Sequence, residues 1–217
     1  MRLRIPYGVL RGFVHAALLV GLVWAAPTAA KDVQILAFGD SLTAGYGLRP
    51  GQGFAPQLQA TLRRNGVRAF VVNGGVSGDT AAAGRARLRW TLDGLRRKPD
   101  LVILALGGND MLRGLAPSRT REDLSAIMAE LKRRGIRTLI AGMVAAPNLG
   151  PAYGGEFNRI FPDLARTYGA PLYPFFLSGV AANKRLLLPD GIHPNFQGIK
   201  QMVTRIRPAV LAALGGN

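Results

Sequence analysis

Ser41, Asp190 and His193 are the residues with which this chain could carry out acyl transfer. A serine hydroxyl is a weak nucleophile until a neighbouring base takes its proton. An imidazole does so best when a carboxylate holds its other nitrogen and stabilises the imidazolium that forms. Asp190 stands three residues before His193 in DGIHPN, with Gly191 between them. Taken alone, this spacing fits a turn histidine beside an unrelated aspartate equally well. Ser41, in FGDSL, sits at an expected strand-to-helix turn, where helix-terminal amides favour negative charge. A serine there also fits an N-cap. Gly39 is followed by Asp40, Ser41 and Leu42, which does not match G-x-S-x-G. An ordinary α/β-hydrolase nucleophile elbow is therefore not expected.

Gly78 in GVSGDT and Asn109 in LGGND are candidate anion stabilisers. A glycine amide and an asparagine NH₂ can donate to a developing oxyanion without adding charge. Each alone fits an ordinary turn as well. Asp40, Asp79 and Asp110 stand beside them and are expected to form turns and networks.

These residues need a scaffold that brings four distant segments together. Val33 to Phe38, Ala69 to Val72, Leu101 to Leu106 and Arg137 to Val144 are apolar runs of strand length, with a shorter one at Pro171 to Tyr173. Near-continuous hydrophobicity is the mark of strands covered on both faces. Ala81 to Lys98 is helix-like and basic on its exposed side. Leu124, Ile127, Met128 and Leu131 follow helical spacing, with Thr120 as expected cap and Gly135 as stop. Phe157, Ile160, Phe161 and Leu164 repeat the pattern around Pro162, so this helix is expected to be kinked or to start late. A last helix fits Asn195 to Leu214. Alternating strands and helices imply one domain, residues 31–217, with a parallel sheet and helices on both faces. Ligands bind such sheets beyond the carboxyl ends of the strands, which is where the polar segments fall.

Composition narrows the chemistry further. The 217 residues contain no cysteine, which excludes a disulfide scaffold, a thiolate metal site and a cysteine nucleophile. Arg2, Arg4 and Arg11, the apolar stretch Phe13 to Ala26, and small residues up to Ala30 have the layout of a secretory signal peptide, residues 1–30. His15 lies in that segment, so His193 is the one histidine left for chemistry, and a multi-histidine metal site is excluded. The net charge of +16 falls to +13 without residues 1–30. Such charge suits a nucleic acid or an anionic membrane. Export and the lack of a nucleic-acid motif disfavour the first and leave a weak association with an anionic membrane surface.

Together the four blocks resemble the GDSL, or SGNH, hydrolases over nearly the whole chain after residue 30. FGDSLTAGYGL, VVNGGVSGDTAAAGRARL, LGGNDMLRGLAP and APLYPFFLSGV are similar to the branch of exported bacterial arylesterases and multifunctional thioesterase I/lysophospholipase L1 enzymes. The resemblance implies a three-layer α/β/α, flavodoxin-like fold with a mainly parallel sheet of about five strands. It implies Ser41 as nucleophile and His193 as base held by Asp190. It implies an oxyanion hole of Ser41, Gly78 and Asn109. It further implies ester, thioester or lysophospholipid substrates and no metal or organic cofactor; the signal peptide points to the periplasm or to secretion, and a monomer is expected. The segment Ala145 to Glu156 is a candidate lid or a rigid connection. Tyr153, Phe157, Phe175 and Phe176 are candidates to line an apolar groove or to belong to the core. The same fold hosts carbohydrate O-deacetylases, and a non-catalytic envelope-binding module is a third expectation.

Overall fold

The computed structural model describes residues 32–215. The expected signal peptide lies outside the described residues. Five parallel strands form the sheet: β1 (Val33–Gly39), β2 (Ala69–Gly75), β3 (Leu101–Ala105), β4 (Arg137–Ala141) and β5 (Leu172–Tyr173). Their order is β2-β1-β3-β4-β5, with every neighbouring pair parallel. The chain passes from β1 to one side, then crosses to the other side for β3. This switch opens a crevice beyond the carboxyl ends of β1 and β3.

The helices are α1 (Ser41–Ala44), α2 (Phe54–Arg64), α3 (Ala81–Asp93), α4 (Gly108–Leu112), α5 (Pro117–Arg133), α6 (Gly150–Tyr168) and α7 (Phe196–Ala213). Helices α2 and α7 pack together on one side, and α3, α5 and α6 pack in a row on the other. Ile35 to Phe38 and Leu101 to Ala105 are buried between these layers, as their unbroken hydrophobicity requires. The expected α/β/α sandwich is therefore present. Among the described residues no helix is long and apolar enough to cross a membrane.

Element boundaries differ from expectation where tertiary contacts decide. Strand β2 continues three residues beyond Val72, because Asn73 to Gly75 keep the register with Ala37 to Gly39. Strand β4 ends at Ala141 rather than Val144. Helix α5 starts one turn before the expected cap: Pro117 occupies its first turn, where a missing N–H costs nothing. Thr120 is thus inside the helix and fully buried, not its N-cap. Helix α6 accommodates Pro162 and starts at Gly150, so its first turns occupy much of the segment considered as a lid. Helix α7 lies one residue inside the expected Asn195 to Leu214 at each end, and Asn195 is its N-cap, accepting from Gln197 and Gly198 N–H.

Candidate active site

Strand β1 ends on Gly39, where a side chain would collide with Thr43 and the Ala105 carbonyl. The chain then turns directly into α1. Asp40, not Ser41, is the N-cap: its Oδ1 accepts from Leu42 N–H at 3.0 Å. Ser41 is therefore released from capping and opens the first turn, with its own N–H donating to no protein acceptor among the described residues. Its Oγ lies 2.9 Å from His193 Nε2.

The histidine is held from below. Its Nδ1 lies 2.7 Å from Asp190 Oδ2, while Asp190 Oδ1 accepts from the N–H groups of Ile192 and His193 at 2.9 and 3.0 Å. The N–H of His193, then that of Ile192, and then the imidazole hold the Asp190 carboxyl down at about 2. Asp190 is thus an ionised acceptor, so Nδ1 carries the imidazole proton and Nε2 is free to accept from Ser41. Leu188 N–H donates to the His193 carbonyl at 2.7 Å, fixing the loop. The Tyr46 ring covers the imidazole, with centroids 4.4 Å apart.

Opposite Ser41 lie the loops after β2 and β3. Gly78 has φ +87°, a left-handed conformation that glycine adopts without strain. Its carbonyl accepts from Arg113 Nη2 at 2.8 Å, and among the described residues its N–H donates to no protein acceptor. Gly107, with φ +105°, turns β3 into α4, and a side chain there would press on Phe161. Asn109 follows. One of its two amide protons goes to the Asp79 carbonyl at 2.9 Å, and its second contact, to Asp40 Oδ2, is 3.5 Å. That leaves one donor only weakly engaged.

Three buried aspartates knit these loops together. Asp40 is 4% exposed, and burial pushes its carboxyl up to about 6 against the opposing Leu42 hydrogen bond. Asp110 is raised by burial as well; it accepts from Ala81 N–H at 2.9 Å and Thr120 Oγ1 at 3.2 Å, joining the starts of α3 and α5 to α4. Asp79 pairs with Arg87 Nε, whose Nη2 donates to the Gly39 carbonyl at 2.9 Å. The Arg87 guanidinium lies 4.1 Å from the centre of the Phe38 ring. One inward-turned cation thus fixes the residue before Asp40 and the residue after Gly78.

The structure brings Ser41, Asp190 and His193 into one hydrogen-bonded chain and places Gly78 and Asn109 at the same end of the sheet. It takes two of the four aromatic candidates for a groove into the core. Phe157 and Phe176 are buried in the core, Phe157 between Tyr153 and Phe161, and Phe176 against Phe54. Both are corrections, caused by the inward stripe of α6 and by the packing of Phe176 against α2. Tyr153 is half-buried and donates to the Leu115 carbonyl at 3.0 Å; Phe175 is half-buried. Arg87 was not expected, since α3 reads as basic only on its outer side. Its signal is its place three residues after Gly84, at the edge of the buried stripe of Ala81, Gly84, Leu88 and Leu92.

Residues 37–201 match the model of the GDSL-like Lipase/Acylhydrolase family. The chain is 37% identical over 176 residues to Esterase TesA of Pseudomonas aeruginosa, covering 81% of this chain and 87% of that protein. It is 36% identical over 167 residues to Thioesterase 1/protease 1/lysophospholipase L1 of Escherichia coli, covering 77% of each. Among solved structures, AlinE4, an SGNH-hydrolase family esterase, superposes with a TM-score of 0.73 at 48% identity, covering 85% of this chain and 97% of that one.

Proposed function

The chain belongs to the GDSL-like lipase/acylhydrolase family and is a serine esterase of that type, and we propose that Ser41 is its nucleophile. His193 is the general base, oriented by Asp190. The observation that carries this assignment is the unbroken chain from Ser41 Oγ through His193 to Asp190, at 2.9 and 2.7 Å. Ser41 attacks the ester carbonyl as its proton passes to Nε2. The oxyanion rests on the N–H groups of Ser41 and Gly78 and the second amide proton of Asn109. The imidazolium then protonates the leaving alcohol or thiol. Water, activated by the same base, releases the acid from the acyl-serine and restores the hydroxyl.

The substrate reading is an ester or thioester of an acyl chain, with lysophospholipids included. Tyr46, Val76, Leu115, Val144 and Ile192, on loops beyond the strand ends or beside His193, and Leu112 at the end of α4 are exposed and apolar. Such a rim suits an acyl group better than a hydroxyl-rich carbohydrate. Residues 1–30 direct export to the periplasm or beyond, and the enzyme works as a monomer without a cofactor.

Hydrolysis of p-nitrophenyl esters from acetyl to palmitoyl, with Ser41→Ala beside the unaltered chain, tests this. Activity that rises toward butyryl or longer chains and vanishes with Ser41→Ala is expected. Strict preference for acetyl would move the reading to a carbohydrate O-deacetylase. Activity that survives Ser41→Ala would remove the proposed nucleophile.

A further inference from the structure

Helix α3 is apolar on two opposite faces. Ala81, Gly84, Leu88 and Leu92 are buried against the sheet. At 100° per residue, Ala82, Ala83, Ala86 and Trp90 fall on the far side, and all four are exposed. Trp90 is 80% exposed, more than any other large apolar residue described. A surface helix ordinarily turns a polar face to water. The neighbouring α5 does so, with Ser118, Arg119 and Glu122 exposed.

The margin of this face is basic. Arg89, beside Trp90, and Arg96, just past the helix end, are exposed and make no ion pair among the described residues. Arg96 also borders a cavity of about 760 Å³ at the foot of β2, together with Arg63, Arg68 and Phe70. Phe70 is the second strongly exposed aromatic of this side, at 54%. The acids there are engaged: Asp93 with Arg134, and Asp32 with Arg68. Aromatic rings amid unpaired arginines suit a headgroup layer, where rings sit at the interface and guanidinium groups meet phosphates. A second copy of a chain with net charge +16 would bring like charge to the same margin.

We propose that the outer face of α3, with the adjoining foot of β2, docks on a bilayer surface bearing anionic headgroups. Trp90 and Phe70 enter the interface, and Arg89 and Arg96 meet lipid phosphates. The first residue of α3 is bonded to Asp110 beside the site, and Trp90 lies about 14 Å further along the helix. A helix lying flat on the bilayer therefore keeps the mouth of the site at the rim of the contact. The docking surface is separate from Ser41, so it stands or falls independently of the ester chemistry.

The chain has two tryptophans, Trp24 and Trp90, so Trp24→Phe makes Trp90 the sole emitter in the full-length protein. Its emission should shift to the blue, and be quenched by brominated acyl chains, with mixed phosphatidylglycerol–phosphatidylcholine vesicles at low salt but not with phosphatidylcholine alone. Adding Arg89→Ser and Arg96→Ser should raise the lipid concentration for half-maximal shift roughly tenfold or more, while hydrolysis of soluble p-nitrophenyl butyrate stays unchanged. The control pair Arg119→Ser and Arg159→Ser, on α5 and α6, should leave the shift in place. An emission that vesicles do not move, even if residues 1–30 capture the protein on them, would overturn the proposal. So would equal loss in the control pair, which would mean attraction by overall charge, or a blue shift that appears with dimerisation before any lipid is added.

Discussion

At the carboxyl ends of the strands, four glycine-bearing turns gather the hydrogen-bonded chain of Ser41, His193 and Asp190, the contacts of Asn109 with Asp40 and the Asp79 carbonyl, and the buried Asp110. At the amino ends, the same strands leave cavities of about 610 and 760 Å³. One is lined mainly by Leu101, Met128, Ile136, Tyr168 and Pro171, the other by Phe70 and arginines. Open space is thus found at the amino ends as well. Converging polar groups distinguish the carboxyl ends. The cause is topological: a parallel sheet sends every strand into its helix at one end, and the switch between β1 and β3 holds their turns apart.

This contrast can be broken at several points. Asn109→Ala removes a donor at the carboxyl end and should lower kcat by on the order of 10²–10³ with KM nearly unchanged. Steady-state kinetics on p-nitrophenyl butyrate checks it, and an unchanged kcat would remove Asn109 from the oxyanion hole. Arg87→Met comes next, at roughly 100-fold in kcat, because small displacements of the Ser41 and Gly78 turns are costly. Arg87→Lys should recover little of this, since an ammonium cannot span Asp79 and the Gly39 carbonyl as the fork does.

Asp40 gives a pH-dependent effect. Its carboxyl is raised to about 6 in the fold, from an ordinary value of 3.8. The folded state therefore keeps the proton longer than the unfolded chain does. Stability should fall as pH rises from about 4 to 6, by about 2 kcal/mol from this group. Denaturant titrations of Asp40→Asn should show a flatter slope in that window, with the part due to Asp110, of the same sign, remaining. Asp190, held at about 2, acts with the opposite sign and only below about pH 4. The smallest effect belongs to the amino end. Tyr168→Phe loses the bond to Ser125 and should cost about 1 kcal/mol of stability, with kcat and KM unchanged. A loss of turnover there would erase the distinction between the two ends.

Much of this was legible in the chain because the relevant signals are local. Continuous apolar runs located the strands, and the glycine-rich polar segments after them located the site. The stretch from Asn195 to Leu214 located α7 to within one residue at each end. The misreadings arose where a local signal had a distant competitor. Thr120 with Asp123 looks like a cap, yet Pro117 starts the helix earlier and Thr120 turns inward to Asp110. PNLGPAYGG carries the composition of a loop, yet Pro151 suits the first turn of α6, and Tyr153 is tied to Leu115. Arg87 counted among solvated arginines, and only the Phe38 ring and the Asp79 carboxylate, brought close by folding, turn it inward. The low exposure of Asp40 is likewise a product of three separate loops.

The most direct test of the central claim is covalent. The full-length protein should be treated with a p-nitrophenyl alkylphosphonate and its mass and peptide map determined. Attack by an activated serine predicts one adduct, on Ser41, with release of one equivalent of p-nitrophenolate and parallel loss of esterase activity. His193→Ala should suppress labelling. An adduct on another residue, or full esterase activity in protein modified at Ser41, would contradict the assignment of the reactive end.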